Sequence, residues 1–146
     1  MDIFAHPDES SVKQLLSESN LPTADITAQH LTHFFGCGHG PGLEGVVGLE
    51  LYGDVALLRS LAVAPGQRGS GLGSRLVAHA ERHAQDQGVK SLYLLTTTAE
   101  AFFLRHGYVR IPRDEAPTAI NGTKEFSGIC PVSSAFMVKK LWWQQP

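Results

Sequence analysis

Three glycines, Gly69, Gly71 and Gly73, fall between an apolar run and an amphipathic stretch, with Arg68 just before them and Ser74 just after. Leu57, Leu58, Leu61, Ala62 and Val63 supply the apolar run, which reads as a buried strand. SRLVAHAERHAQDQG reads as a helix, with Gly88 in the position that a C-cap favours. A strand that passes through glycines into a helix start leaves several backbone N–H groups without an acceptor. The positive end of the helix dipole lies behind them, so the junction is a seat for phosphate. A Walker A loop would need Lys after Gly73, and the dinucleotide fingerprint would need a G-x-G-x-x-G spacing. Neither is present. The pattern that fits is Q/R-x-x-G-x-G/A, filled by Arg68, Gly71 and Gly73. Taken alone, this pattern also suits an ordinary glycine-rich connection.

A second set of chemical groups lies one hairpin upstream. Gly45–Tyr52 and Val55–Val63 read as strands joined by Gly53-Asp54, and glycine at the first central position favours a type II′ turn. If Tyr52 pairs with Val55, Glu50 stands across from Leu57 and Gly48 across from Arg59. Glu50, Leu57 and Arg59 then project to one side of the sheet. An arginine on such a face needs an anionic partner. That partner is either an acidic substrate or Glu50 itself.

The context around the glycines, LRSLAVAP before and SRLVAHA after, resembles the central motif of the GCN5-related N-acetyltransferases. The likeness runs from about Leu43 to Leu141 and includes AEAFFLRHGY, which matches through Phe102, Phe103, Gly107 and Tyr108. It implies an α/β (α+β) fold with a mixed, mostly antiparallel sheet of about six or seven strands. The sheet would be flanked by helices and carry a splayed central strand. It also implies acetyl-CoA as cofactor, with Leu61, Ala62 and Val63 along the pantetheine arm. Arg68, Gly69, Ser70, Gly71, Leu72, Gly73 and Ser74 would lie at the pyrophosphate. The backbone N–H near Leu61 would be the oxyanion donor. Two departures stand out. Leu57 holds the place where many relatives carry a glutamate base, so the hairpin register nominates Glu50 instead, acting through water. Phe103 replaces the tyrosine that relatives use as an acid and would pack against pantetheine; either Tyr93, Tyr108, Ser133 or water protonates the thiolate, or the thiolate leaves unaided.

The C-terminal third is similar to the acetyltransferase domain of N-acetylglutamate synthases, and closer to the small arsenic-resistance-operon N-acetyltransferases (ArsN type). Ser134 matches a substrate-binding serine of the glutamate-acetylating relatives, while Val132 stands where their arginine would be. The implied acceptor is an amino acid or an amino-acid-like toxic compound, contacted by Arg59 and Ser134, with Arg110, Arg113, Glu125 and Cys130 lining its pocket. Two other readings stay open: acetylation of protein N-termini or lysines, and a non-catalytic acetyl-CoA sensor.

The remaining elements must position these groups within 146 residues, a length that suits one domain spanning 1–146. With 42% hydrophobic and 18% charged residues, the chain reads as globular. A net charge of −2 without a basic run argues against nucleic acid or a membrane surface as partner. Cys37 and Cys130 read as isolated packed thiols suited to a cytoplasmic setting. His79 and His83, four apart on a helix, read as a solvated face, and no metal is expected. Residues 2–7 read as a short strand. A helix follows to about Ser19, with Asp8, Ser10 or Ser11 as its cap, and Thr23 caps a second one near Asp25 to His30. Strands are expected at Thr32–Cys37, Lys90–Thr96 (parallel), Tyr108–Ile111 and Ala135–Lys139. Thr97 or Thr98 caps the AEAFFLRH helix, and a short polar helix spans Pro117 to Lys124. Trp142 and Trp143 form a tail suited to a homodimer contact.

Overall fold

The computed structural model describes residues 2–38, 42–129 and 134–141. Its strands are β1 (Ile3–Ala5), β2 (Phe34–Cys37), β3 (Gly45–Tyr52), β4 (Val55–Val63), β5 (Ser91–Thr96), β6 (Val109–Arg110) and β7 (Ala135–Lys140). Its α-helices are α1 (Glu9–Glu18), α2 (Leu72–Asp86), α3 (Glu100–Arg105) and α4 (Thr118–Asn121). The strands form one sheet in the order β1-β2-β3-β4-β5-β7-β6. Pairing is antiparallel for β1/β2, β2/β3, β5/β7 and β6/β7, and parallel for β4/β5. The expected mixed, mostly antiparallel sheet is therefore present.

The chain packs as two compact units, Met1–Glu50 with Leu58–Arg82, and Leu51–Leu57 with His83–Pro146. In the first unit, Val12, Leu15 and Leu16 form the apolar stripe of α1 and pack with Ile26, Leu31, Phe34, Val46 and Ala62. Helix α1 begins where Asp8 Oδ2 accepts the Ser11 N–H at 3.1 Å, a cap worth about 1 kcal/mol. Helix α2 ends in a Schellman arrangement: Val89 N–H donates to the Ala84 carbonyl and Gly88 N–H to that of Gln85, with Gly88 at φ +88°. In the second unit, Leu57, Tyr93, Ile120, Phe136 and Val138 form the core. The β3–β4 turn has Gly53 at φ +75° and Asp54 at negative φ, as a type II′ turn requires.

Gly48 has no room for a side chain. It pairs with Phe34 across β2 and β3, and a Cβ there would stand 2.3 Å from the Phe34 ring. Overpacking of this kind costs about 1–3 kcal/mol. Gly48→Ala is therefore expected to lower the thermal midpoint by several degrees, which a melting curve followed by circular dichroism checks.

Several expected elements take a different form. No α-helix forms over Asp25–His30. Thr27 N–H, which an α-helix would direct at the Thr23 carbonyl, donates instead to His30 Nδ1 at 3.1 Å. The segment proceeds by three-residue turns, Ile26 to Thr23 and His30 to Thr27. His30–His33 then form a 3₁₀ turn, which delays β2 to Phe34. Helix α3 is held by neither Thr97 nor Thr98: Thr96 Oγ1 accepts the Ala99 N–H at 3.0 Å. The polar helix expected over Pro117–Lys124 is shortened to α4, with a 3₁₀ turn at Arg113–Glu115 before it and a π-helical turn at Glu125–Ile129 after it. Cys130, Val132, Ser133, Trp142 and Trp143 lie outside the described residues.

Candidate functional site

The glycine loop has the form of an anion cradle. After a 3₁₀ turn at Pro65–Gln67, the chain enters the left-handed region at Gly69 (φ +83°) and again at Gly71 (φ +85°). Alternation of this kind turns successive N–H groups toward one concave side. Arg75 N–H donates to the Gly71 carbonyl at 3.1 Å, the first α-helical bond of α2. The N–H groups of Leu72 and Gly73 precede it at the helix start, and the dipole of a 15-residue helix stands behind them. A Cβ added at Gly69 or Gly71 would meet nothing within 4 Å, so the space in front of the loop is open. Ser70 Oγ is turned back onto the Gln67 carbonyl at 2.5 Å, and Arg68 Nε donates to the Val63 carbonyl at 3.3 Å. These features fit a diphosphate held by backbone amides. The cradle suits the phosphate end of acetyl-CoA.

The same unit contains a buried charge cluster centred on Arg59, which is 3% exposed. Its guanidinium meets Asp25 in a bidentate fork, with Nη1 to Oδ2 at 2.5 Å and Nη2 to Oδ1 at 2.8 Å. Nη1 also donates to Glu50 Oε2 at 2.6 Å, and Nε donates to Ser60 Oγ at 3.0 Å. The pair with Glu50, one of the two partners weighed for Arg59, is thus present and is joined by Asp25. The reach from Glu50 to Arg59 agrees with both side chains lying on one face, as the hairpin register requires. Ser60 has φ +60°, a left-handed conformation that costs a non-glycine residue roughly 1–2 kcal/mol and interrupts the extended geometry of β4. Beyond it, Ala62 is buried in the first unit's core, while Leu61 and Val63 are half-buried.

Burial alone would raise the pKa of the Asp25 carboxyl. The Arg59 hydrogen bonds and charge outweigh it and hold the group below its ordinary value of 3.8. A depressed folded pKa stabilises the fold at any pH above the unfolded value, and that contribution is lost as pH falls through the folded one. The stability gap between wild type and Asp25→Asn is therefore expected to be constant above about pH 5 and to narrow below about pH 4. Urea titrations across that range check it.

His30 completes the cluster. Its Nδ1 accepts the Thr27 N–H, which leaves the proton of the neutral ring on Nε2, 4.0 Å from Glu50 Oε2. Donor atoms of Asp25, His30 and Glu50 lie within 4.8 Å of one another, a spacing that would suit a metal. Arg59 Nη1 already donates to a carboxylate oxygen of both Asp25 and Glu50 at that place.

Most of the other nominated residues sit in the second unit, with Cys37 and His79 in the first. Phe103 is buried, in edge contact with Phe102 and Tyr108 at 5.1 and 5.4 Å. Tyr108 lies under Lys139, whose Nζ is 5.6 Å from the ring centroid. Tyr93 stacks on Phe136, and burial raises its phenol pKa, partly offset by a hydrogen bond with Ser91. Ser134 is 4% exposed and its Oγ has no hydrogen-bond partner among the described residues. Arg113 donates at 3.5 Å to the carbonyls of Phe126 and Ser134, with its guanidinium 5.1 Å from the Phe126 ring centroid. Glu125 is buried, whereas Arg110 lies on the surface, 3.4 Å from Glu100. Cys37 is a buried thiol 3.9 Å from the Gly45 carbonyl, and burial raises its pKa. His79 meets Phe35 edge-on at 4.6 Å.

Asp25 and His30 were not legible in the sequence as site residues. Asp25 reaches Arg59 across 34 positions, and both residues lie on a stretch whose pattern suggested a helix.

Residues 30–110, more than half of the chain, match the family model described as the acetyltransferase (GNAT) domain. The chain belongs to the GNAT acetyltransferase family. Within that family it is similar to an amino-acid acetyltransferase of Ralstonia nicotianae, at 41% identity over 63 residues. That match covers 43% of this chain and 14% of the relative, so the chain spans only a small part of that protein's length. In fold it resembles N-acetylglutamate synthase from Neisseria gonorrhoeae, solved with coenzyme A and L-arginine. The TM-score is 0.81 at 24% identity, over 96% of this chain and 33% of that one. A second likeness is Rv2747 from Mycobacterium tuberculosis, solved with CoA, with a TM-score of 0.79 at 20% identity over 97% of this chain and 99% of that one. The match begins at His30 and contains β3, β4, the glycine loop and α2. Among the described residues, no helix is long and apolar enough to cross a membrane.

Proposed function

We propose that this GNAT chain is an acetyl-CoA-dependent N-acetyltransferase, acting as one domain on the amine of an amino acid. The observation that carries the reading is the coexistence, in one compact unit, of the anion cradle at Arg68–Ser74 and the buried carboxylate of Glu50. The names of the relatives support an amino-acid acceptor. The resemblance of the C-terminal third to ArsN-type enzymes supports the narrower choice of an amino-acid-like toxic compound. Bound acetyl-CoA would supply the acetyl group as a thioester, already activated for transfer to an amine.

The chain's own residues then have separate tasks. Amides of Gly69, Gly71, Leu72 and Gly73 hold the diphosphate, since the Arg68 and Ser70 N–H groups already donate to the Pro65 and Gln67 carbonyls, and the backbone of Leu61, Ala62 and Val63 takes the pantetheine arm. The Leu61 N–H stabilises negative charge on the thioester oxygen. Glu50 takes the proton of the acceptor ammonium, through a water, so that the free amine attacks. Transfer is direct, within a ternary complex. Arg59, held by two carboxylates, is assigned the task of fixing Glu50 beside the acceptor.

The test is incubation with acetyl-CoA and a panel of amino acids and amino-acid-like toxins, with released thiol as the readout. Turnover with a free amino acid supports the proposal. CoA-dependent thermal protection without turnover on any amine would make the chain a sensor, and turnover on peptides alone would move it to the protein acetyltransferases.

A further inference from the structure

Buried charges inside a protein interior are costly unless fully paired. The first unit buries three, Asp25, Arg59 and Glu50, on three separate stretches of chain. The geometry is not symmetric. Asp25 engages both terminal nitrogens of Arg59, whereas Glu50 Oε2 accepts from Nη1. The Nε–H donates to Ser60 Oγ, at the left-handed residue next to Leu61. A planar guanidinium clamped through Nη1 and Nη2 cannot rotate about its Nε–Cζ axis, so its other contacts become fixed in direction. One side chain therefore orients the carboxylate of β3 and braces the kink in β4. Both oxygens of Asp25 accept from Arg59, so this carboxylate acts as a clamp on the guanidinium.

We propose that Asp25 is a positioning residue for acetyl transfer. By locking Arg59 it sets the direction of Glu50 and, through Ser60, the direction of the Leu61 N–H. This inference rests on the reading of Glu50 as the base. It also gives a role to the segment between α1 and β2: the absent helix there lets Asp25 reach inward to Arg59.

The test measures kcat and KM for acetyl-CoA by thiol release in wild type, Asp25→Asn, Asp25→Glu, Glu50→Gln and the Asp25→Asn/Glu50→Gln double variant. Asp25→Asn is expected to lower kcat by at least tenfold while KM for acetyl-CoA stays within about threefold, since misplacement of a reacting group by about 1 Å costs as much as 100-fold. Asp25→Glu keeps the charge that Arg59 requires and lengthens the arm by one methylene. It too is expected to lose rate, and it serves where Asp25→Asn fails to fold. In the Glu50→Gln background, Asp25→Asn should lower the residual rate by clearly less than it lowers wild type, because the group being aimed is already gone. A purely structural Asp25 would lower both backgrounds by the same factor, which would overturn the proposal. So would wild-type kcat in the folded Asp25→Glu protein. Full activity of Glu50→Gln would instead remove the base assignment and this inference with it. An inactive Glu50→Gln beside fully active Asp25 variants would remove this inference alone.

Discussion

Glu50→Gln is expected to lower kcat for amine acetylation by at least 100-fold while CoA still protects the protein against heat. General-base catalysis is worth about 100- to 10,000-fold, and an amide cannot take the proton of an ammonium. Glutamine is nearly isosteric and its carbonyl oxygen can still accept from Arg59 Nη1, so the hydrogen bond at 2.6 Å survives in neutral form. Loss of the charge-assisted part of that bond costs stability on the order of 1–2 kcal/mol. The glycine cradle, at Arg68–Ser74 on the α2 side of β4, does not depend on this side chain. Steady-state kinetics and a thermal-shift titration with CoA separate the two effects. A variant with wild-type kcat removes Glu50 from the chemistry. A variant that no longer responds to CoA shows instead that the carboxylate matters for folding or cofactor binding.

Gly71→Val is expected to weaken CoA binding by about 10- to 100-fold, the cost of losing one or two hydrogen bonds to a charged group. Gly71 sits at φ +85°, where a β-branched residue is strained by roughly 1–3 kcal/mol, so relaxation of the backbone would re-aim the amides that follow. The volume itself is tolerated by the fold, because a Cβ at this position meets nothing within 4 Å. The side chain instead enters the open space in front of the loop, where the proposed function puts the diphosphate. Gly66→Ala is the control. It lies one turn earlier, has no left-handed backbone and is equally open, so its CoA affinity should stay within twofold of wild type. Isothermal titration with CoA reads both. Equal affinity of Gly71→Val and wild type would place the phosphates elsewhere on the protein.

The backbone of this fold was legible in local patterns because each depends on neighbours in sequence. Both β3 and β4 appear with their expected ends, since a two-residue turn led by Gly53 leaves little freedom in register. Helix α2 and its Gly88 stop follow from amphipathic spacing and from the tolerance of glycine for positive φ. The sharing of a face by Glu50 and Arg59 followed from the two-residue period of strands. The same kind of reasoning failed over Asp25–His30. There Thr23, Asp25 and the residues after them carry helix-start chemistry, yet Thr27 N–H goes to the His30 ring. Local hydrogen bonding by a side chain competed with the helix and won.

Residue types and spacings in the chain decided the glycine loop, the βαβ unit behind it and the carboxylate on the neighbouring strand. These are short-range consequences of glycine conformations, strand alternation and helix capping. Tertiary structure decided what Arg59 is for. Its choice between an outside anion and an inside one depended on Asp25, which arrives from 34 residues away and whose approach no local periodicity encodes. A buried guanidinium must be neutralised by whichever carboxylates the fold can bring to it, and only the packed chain shows that two of its own reach it first.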